Sequence, residues 1–166
     1  MNKLKYEFRN LNVAAATAIS VIFLFVNFSV WCAVGNTAYV FRFISSYVKT
    51  MPLWLFGLFD FISSVLLGFA LGGGLTEKAP NCQICKYRGA FYFIIGVVCG
   101  FLHHGFFFLG ARFLAAMLMS LLQCLFLMIA YVNFCRVSTA VSIILAFGFL
   151  WRFYLFVLSI LTFFWM

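Results

Sequence analysis

Almost no part of this chain has the polarity to face water. Of its 166 residues, 67% are hydrophobic and 8% are charged, and the mean hydropathy is +1.15. A soluble domain of this length has too little interior to hide so much apolar side chain, so lipid must solvate most of it. A helix crossing the hydrocarbon core takes roughly 20 mostly apolar residues. Five stretches qualify: about residues 11–34, 53–71, 89–109, 113–132 and 138–165. None alternates with period 2, and a backbone in lipid must pair its polar groups internally. The expectation is an all-α integral membrane protein, one membrane domain over residues 1–166 built as a five-transmembrane-helix bundle.

The connections order the spans. Leu109-Gly110-Ala111-Arg112 and the link from Asn133 to Val137 are short enough to make helices three, four and five an antiparallel unit. Gly35–Met51 is longer and semi-apolar, with Arg42 and Lys49 among aromatics, as suits a segment lying on the membrane surface. The link 72–88 is the most polar stretch, and Gly72-Gly73-Gly74 reads as the end of the second helix. Lys3, Lys5 and Arg9 precede the first span, but its apolar run is too long for a signal peptide, so it reads as a retained anchor.

Basic residues set the expected orientation. Lys3, Lys5, Arg9, Lys78, Lys86, Arg88 and Arg136 fall on the N-terminal side, against Arg42, Lys49 and Arg112 opposite, which places the amino terminus inside. The net charge of +8 is then membrane-surface electrostatics, and no basic stripe suits nucleic acid. Gly96/Gly100 and Ala14/Ala18 have the spacing of small-residue helix contacts, within one chain or across a dimer. Cys32, Cys99 and Cys124 lie in spans as small hydrophobes, and Cys135 lies in a loop. Cys82 and Cys85 form a CxxC, half a zinc site or a redox pair.

Ionisable residues inside a span are costly and therefore candidates for function. There are four here: Asp60, His103, His104 and Arg152. At about 1.5 Å of rise per residue, Asp60 lies roughly 10 Å below the outer face, and the histidines and Arg152 lie at nearly the same depth. Three helices thus place their buried ionisable groups in one layer. That layer is either an Asp60–Arg152 pair that pins helices together or a polar pocket. Adjacent histidines point about 100° apart, so both cannot face one site. Asp60 with one histidine supplies too few ligands for zinc. Gln123 reads as an interhelical hydrogen-bonding residue. The sequence holds no serine–histidine–acid set, no HExxH and no phosphate-cradling loop.

Pro52-Leu53-Trp54-Leu55-Phe56-Gly57, followed by Gly68, resembles the Pro-x-Trp-x-x-Gly opening of the second helix in the TspO/translocator protein family. Phe107-Phe108-Leu109-Gly110-Ala111-Arg112 is similar to that family's Phe-Phe-Gly-x-Arg turn. Leu150-Trp151, with Ser159 following, is similar to its Leu-x-Trp…Leu-Asn in the fifth helix. The resemblance implies binding of a porphyrin or sterol between helices one, two and five, under the loop joining helices one and two. It also implies a tendency to dimerise. It puts Trp54 and Trp151 on the pocket wall, with Asp60, His104 and Arg152 as polar groups and Arg152 facing a carboxylate such as a porphyrin propionate. The chain departs from the family pattern at several places: Asp60 stands for a Trp, Phe101 and His104 for Asn and Trp, Phe147-Gly148 for Pro-Tyr, and Ser159 for Asn. No cofactor is expected beyond a porphyrin or haem as ligand, with His104 either ligating haem iron or hydrogen-bonded to Asp60.

The expected function is binding of a lipophilic small molecule, for transport or sensing rather than catalysis. Expected partners are the lipid bilayer, that ligand, and a second copy or a larger membrane complex. Two other classes stand beside it. Pro80-Asn81-Cys82-Gln83-Ile84-Cys85-Lys86-Tyr87-Arg88 looks like the Pro-Cys-x-x-Cys-x-Tyr-x-Arg of quinone-linked thiol oxidases of the DsbB type, although such enzymes need a second cysteine pair and Cys135 stands alone. The phenylalanine load, 25 residues, also suits a structural subunit of a membrane complex.

Overall fold

The computed structural model describes residues 11–33, 42, 52–77, 82–109 and 112–165. Lys3, Lys5, Arg9, Lys49, Lys78, Gly110, Ala111 and the surface-lying link Gly35–Met51, apart from Arg42, lie outside the described residues. Among the described residues, five long α-helices alternate in direction along the chain: α1 Val13–Ala33, α2 Leu53–Thr76, α3 Gln83–His104, α4 Phe113–Cys135 and α5 Thr139–Trp165. Each is long and apolar enough to cross a membrane. With all backbone bonds made within helices, this is the architecture that lipid allows, and the protein is a multi-pass membrane protein.

Local chemistry sets the helix ends. Pro52 cannot continue a helix backwards, and its carbonyl accepts from the amides of Leu55 and Phe56 to open α2. Cys82 opens α3, its sulfur accepting from the Cys85 amide at 3.3 Å. The α3 span therefore starts at Gln83, six residues before the expected Gly89, because the CxxC supplies a cap rather than a loop. Past His104 the helix widens into one π-helical turn, Gly105–Leu109. At the α4–α5 corner, the amides of Val137 and Ser138 both donate to the Phe134 carbonyl.

Gly72-Gly73-Gly74 does not end α2, which continues to Thr76. These positions pack against neighbouring segments rather than open a loop: Gly72 meets α1, Gly73 meets Leu11 and Val141 of α5, and Gly74 meets Phe134 of α4. A Cβ at Gly68 would sit 2.7 Å from Ser20 Cα, and one at Gly72 would sit 2.7 Å from Ala16 Cα. The backbones of α1 and α2 can approach this closely because neither glycine carries a side chain. The small face of α1 is accordingly Ala16 and Ser20, whereas Ala14 and Ala18 are exposed. Gly96 packs on Leu127 of α4, so the GxxxG of α3 serves contacts within the chain.

The helices form a ring in the order α1, α2, α5, α4, α3. The ring closes loosely: α1 and α3 touch through side chains such as Phe23 on Phe93, 5.9 Å between ring centroids, while their backbones stay apart. One apolar core, with Leu67, Phe93, Leu127, Phe134 and Leu145, fills the end where α1 starts. A second, with Phe56, Phe107, Phe108 and Leu155, fills the other end. Large apolar side chains such as Phe25, Phe91, Phe147 and Leu150 point outward to lipid. A layer of polar side chains lies between the two cores.

Candidate functional site: a buried carboxylate cluster and its cleft

Asp60 is fully buried, 0% exposed, on the inner face of α2. A carboxylate there needs compensation at every lone pair, and four N–H groups from two helices supply it. Oδ1 accepts from Trp151 Nε1 at 2.9 Å and from Arg152 at 2.8 Å. Oδ2 accepts from Trp31 Nε1 at 3.0 Å and from Asn27 Nδ2 at 3.0 Å. Ser64, one turn along α2, donates to the Asp60 carbonyl at 2.9 Å and accepts from the second terminal nitrogen of Arg152 at 3.0 Å. Asn27 Nδ2 also lies against Ser64 Oγ. The pair Asp60–Arg152 is thus a buried ion pair whose charges cancel, held by donors from α1 and α5.

The histidines diverge as their neighbouring positions require. His103 Nε2 lies 2.9 Å from Ser159 Oγ on α5. Ser159 donates its own proton to the Leu155 carbonyl at 2.8 Å, so this hydroxyl is a satisfied helix group and not a nucleophile. His104 turns to the cluster, with Nε2 3.6 Å from Asp60 Oδ2, close enough for charge to be felt but beyond hydrogen-bonding reach. Its Nδ1 lies 2.9 Å from the Gly100 carbonyl.

A narrow cleft adjoins the cluster. Its floor is polar: Asn27, Ser64, His104, Gln123 and Arg152. Its rim is apolar and half-buried, with Phe23 and Val30 from α1 and Val97 and Phe101 from α3, so it runs along the loose α1–α3 seam. The space open to water centres is about 20 Å³, room for about one water molecule. A separate outward groove of about 430 Å³ lies between α2 and α5, lined by Phe59, Leu66, Phe147 and Tyr154, with Trp151 on its inner wall.

The expected site residues separate clearly. Asp60, His104, Trp151 and Arg152 meet in one cluster. Trp54 does not join them: it is 71% exposed and points away, because helical spacing from Asp60 puts it on the outer face of α2. The space between α1, α2 and α5 is filled by Asn27, Trp31, Phe56 and Trp151 rather than open. Three members of the cluster were not anticipated from sequence: Asn27, Trp31 and Ser64. The signal was there in spacing, since Asn27/Trp31 and Asp60/Ser64 are i,i+4 pairs that share a helix face. Gln123 does lie at a helix contact, against Gly100 of α3.

Cys82 and Cys85 are joined to each other as a disulfide at the start of α3. Cys135, the nearest thiol in the topology, is free and exposed at the end of α4. Among the described residues, no group of three or more His, Cys, Asp or Glu side chains is placed to hold a metal ion. Comparison with protein-family models, curated proteins and solved structures finds no match for this chain.

Proposed function

We propose that this protein binds a lipophilic small molecule from the bilayer, for transport or sensing rather than catalysis. The polar end of the ligand sits in the α1–α3 cleft and its apolar body lies along the seam. The observation that carries this reading is the cleft itself. It has an apolar rim facing lipid and a floor of buried polar groups drawn from all five helices. The space inside it that a water centre can reach is about 20 Å³, enough for one small polar group, so the body of the ligand lies outside it along the seam. The site sits between the loosest helix pair of the ring, where a ligand can arrive sideways from the membrane. The resemblance to the TspO/translocator protein family implies the same class of ligand, porphyrin- or sterol-like.

Haem ligation by His104 does not fit this arrangement. The face of a macrocycle needs far more room at Nε2 than one water molecule occupies, and Asp60 stands 3.6 Å away. A porphyrin or sterol would have to bind with an edge or a polar terminus inward.

Titrating protoporphyrin and a sterol against the purified protein tests the proposal, with tryptophan fluorescence as the readout, since Trp31 and Trp151 touch the cluster. Saturable quenching that weakens in Val97→Phe, which narrows the rim, and in Trp151→Ala, but not in Trp54→Ala, is the expected result. A lack of saturable change with either ligand would favour the structural-subunit reading. The filled space between α1, α2 and α5 is the observation on that side.

A further inference from the structure

The cleft has a chemical preference that can be read from the atoms the cluster leaves over. Asp60 leaves none: an ionised carboxylate has about four acceptor positions, and Trp31, Asn27, Trp151 and Arg152 occupy them. The floor of the cleft differs. A carbonyl oxygen only accepts, so His104 Nδ1 must carry a proton and donate it to Gly100. In the neutral ring Nε2 is then a bare acceptor. Among the described residues no donor reaches it, and none reaches Gln123 Oε1. Arg152 commits its two terminal nitrogens to Asp60 and Ser64, but its Nε–H meets no acceptor. His104, Gln123 and Arg152 are 5%, 2% and 6% exposed, and all three line the cleft. Unpaired polar atoms buried this deeply cost free energy until something meets them.

The buried atoms left over are thus two acceptors, His104 Nε2 and Gln123 Oε1, and one donor, Arg152 Nε–H, beside an ion pair whose charges already cancel. Resting on the ligand-binding reading above, the geometry points to an uncharged hydroxyl as the polar group of the ligand: a lipophilic alcohol, phenol or hydroquinone. Its O–H donates to His104 Nε2 or Gln123 Oε1, and its oxygen accepts from Arg152 Nε. A carboxylate fits worse on each count. It has no proton to give to the two acceptors, it brings a second negative charge beside Asp60, and the cation it would seek is already engaged. The carboxylate-binding role expected for Arg152 from sequence is thus replaced by a hydroxyl-binding one. An ester or ether lacks the donor.

Three retinoids with one polyene body separate these cases: retinol, retinyl acetate and retinoate. Each absorbs where tryptophan emits, so quenching of the full-length protein in lipid nanodiscs reports binding. Retinol should bind about tenfold tighter than either of the others, the discrimination expected when an analogue leaves buried polar groups unpaired. His104→Leu should bring retinol to the level of retinyl acetate and change retinyl acetate by less than about twofold. Gln123→Met, close in volume, should reduce the same preference in part, and it stands in if His104→Leu does not fold. Retinoate binding tightest, or retinol and retinyl acetate binding equally to the unsubstituted protein, would overturn the hydroxyl assignment and leave the cleft as a ligand site. Failure of all three to quench saturably would remove the assignment together with the ligand-binding reading.

Discussion

Replacing Asp60 by Asn changes one atom's chemistry inside the helix bundle, and the structure says what that costs. The carboxylate receives four N–H donors, two on each oxygen. Asparagine keeps one oxygen and presents an NH2 where the other stood, so two donors lose their acceptor and face another donor. Hydrogen bonds to a charged group contribute about 1.5–3 kcal/mol each, so two come to about 3–6 kcal/mol. An independent route gives a similar figure: removing one partner of a buried ion pair costs about 3–5 kcal/mol, because the survivor stays buried and unpaired. Here the survivor is Arg152, 6% exposed. Asp60→Asn should therefore destabilise the protein by about 3–5 kcal/mol. Arg152→Met should cost less, since the carboxylate keeps three N–H donors. In the double variant the uncompensated cation is gone, so part of the loss returns. Equilibrium unfolding in mixed detergent micelles, followed by circular dichroism, measures all three. The coupling should be on the order of 1–3 kcal/mol. If the two single losses sum to the double within about 0.5 kcal/mol, the pairing argument is wrong.

Three further expectations follow from the same coordinates. Gly68→Val should weaken the bundle by at least about 1–3 kcal/mol, because its Cβ would sit 2.7 Å from the Ser20 backbone; Gly105→Ala, with nothing within 4 Å, is the control and should unfold like the parent. Changing both Cys82 and Cys85 to Ser should leave ligand quenching intact, since the pair lies in the first turn of α3 and takes no part in the cleft; a quinone-linked thiol oxidation that vanishes in this variant would instead promote the thiol-oxidase reading. With Cys135 as the sole cysteine, an impermeant maleimide should label it from the same side as the amino terminus, the side that the basic residues mark as inside; labelling from both the opposite side and that side in separate vesicle preparations would show mixed insertion and refute the orientation.

Some of this was legible in the sequence and some was not, for physical reasons. The five helices follow from hydropathy, because lipid leaves a backbone few options. The meeting of Asp60, His104 and Arg152 follows from depth, because rise per residue is fixed and charges in a span must find partners. What sequence could not settle was helix rotation. Trp54 and Trp151 look alike as aromatic residues in apolar spans, yet one is exposed on the outer face and the other donates to Asp60. In a chain this apolar, hydrophobic periodicity cannot tell an inner from an outer face, because lipid and core accept the same side chains. The glycines misled for a related reason. In a soluble protein Gly72-Gly73-Gly74 would mark a stop, but here the lack of side chains lets α1 lie against Gly72 and the Phe134 ring of α4 lie against Gly74.

The arrangement divides two tasks among neighbouring atoms. Asp60 is spent entirely on the fold: with every acceptor position filled by an N–H, it has nothing to offer a ligand and no proton to pass on. In the proposed reading, the ligand's hydroxyl meets groups at the edge of that cluster, His104 and Gln123, which the carboxylate does not use. Arg152 belongs to both. Its terminal nitrogens hold Asp60 and Ser64, and its Nε remains for the cleft. A lysine in its place would keep the charge but not this division. One ammonium nitrogen cannot reach the carboxylate, the Ser64 hydroxyl and the cleft at once, whereas a planar guanidinium presents its donors in three directions. The choice of arginine is therefore explained by geometry more than by charge. It also links the two halves of the reading: the ion pair that fixes α2 against α5 holds in place an N–H donor that a hydroxyl ligand in the cleft would accept from.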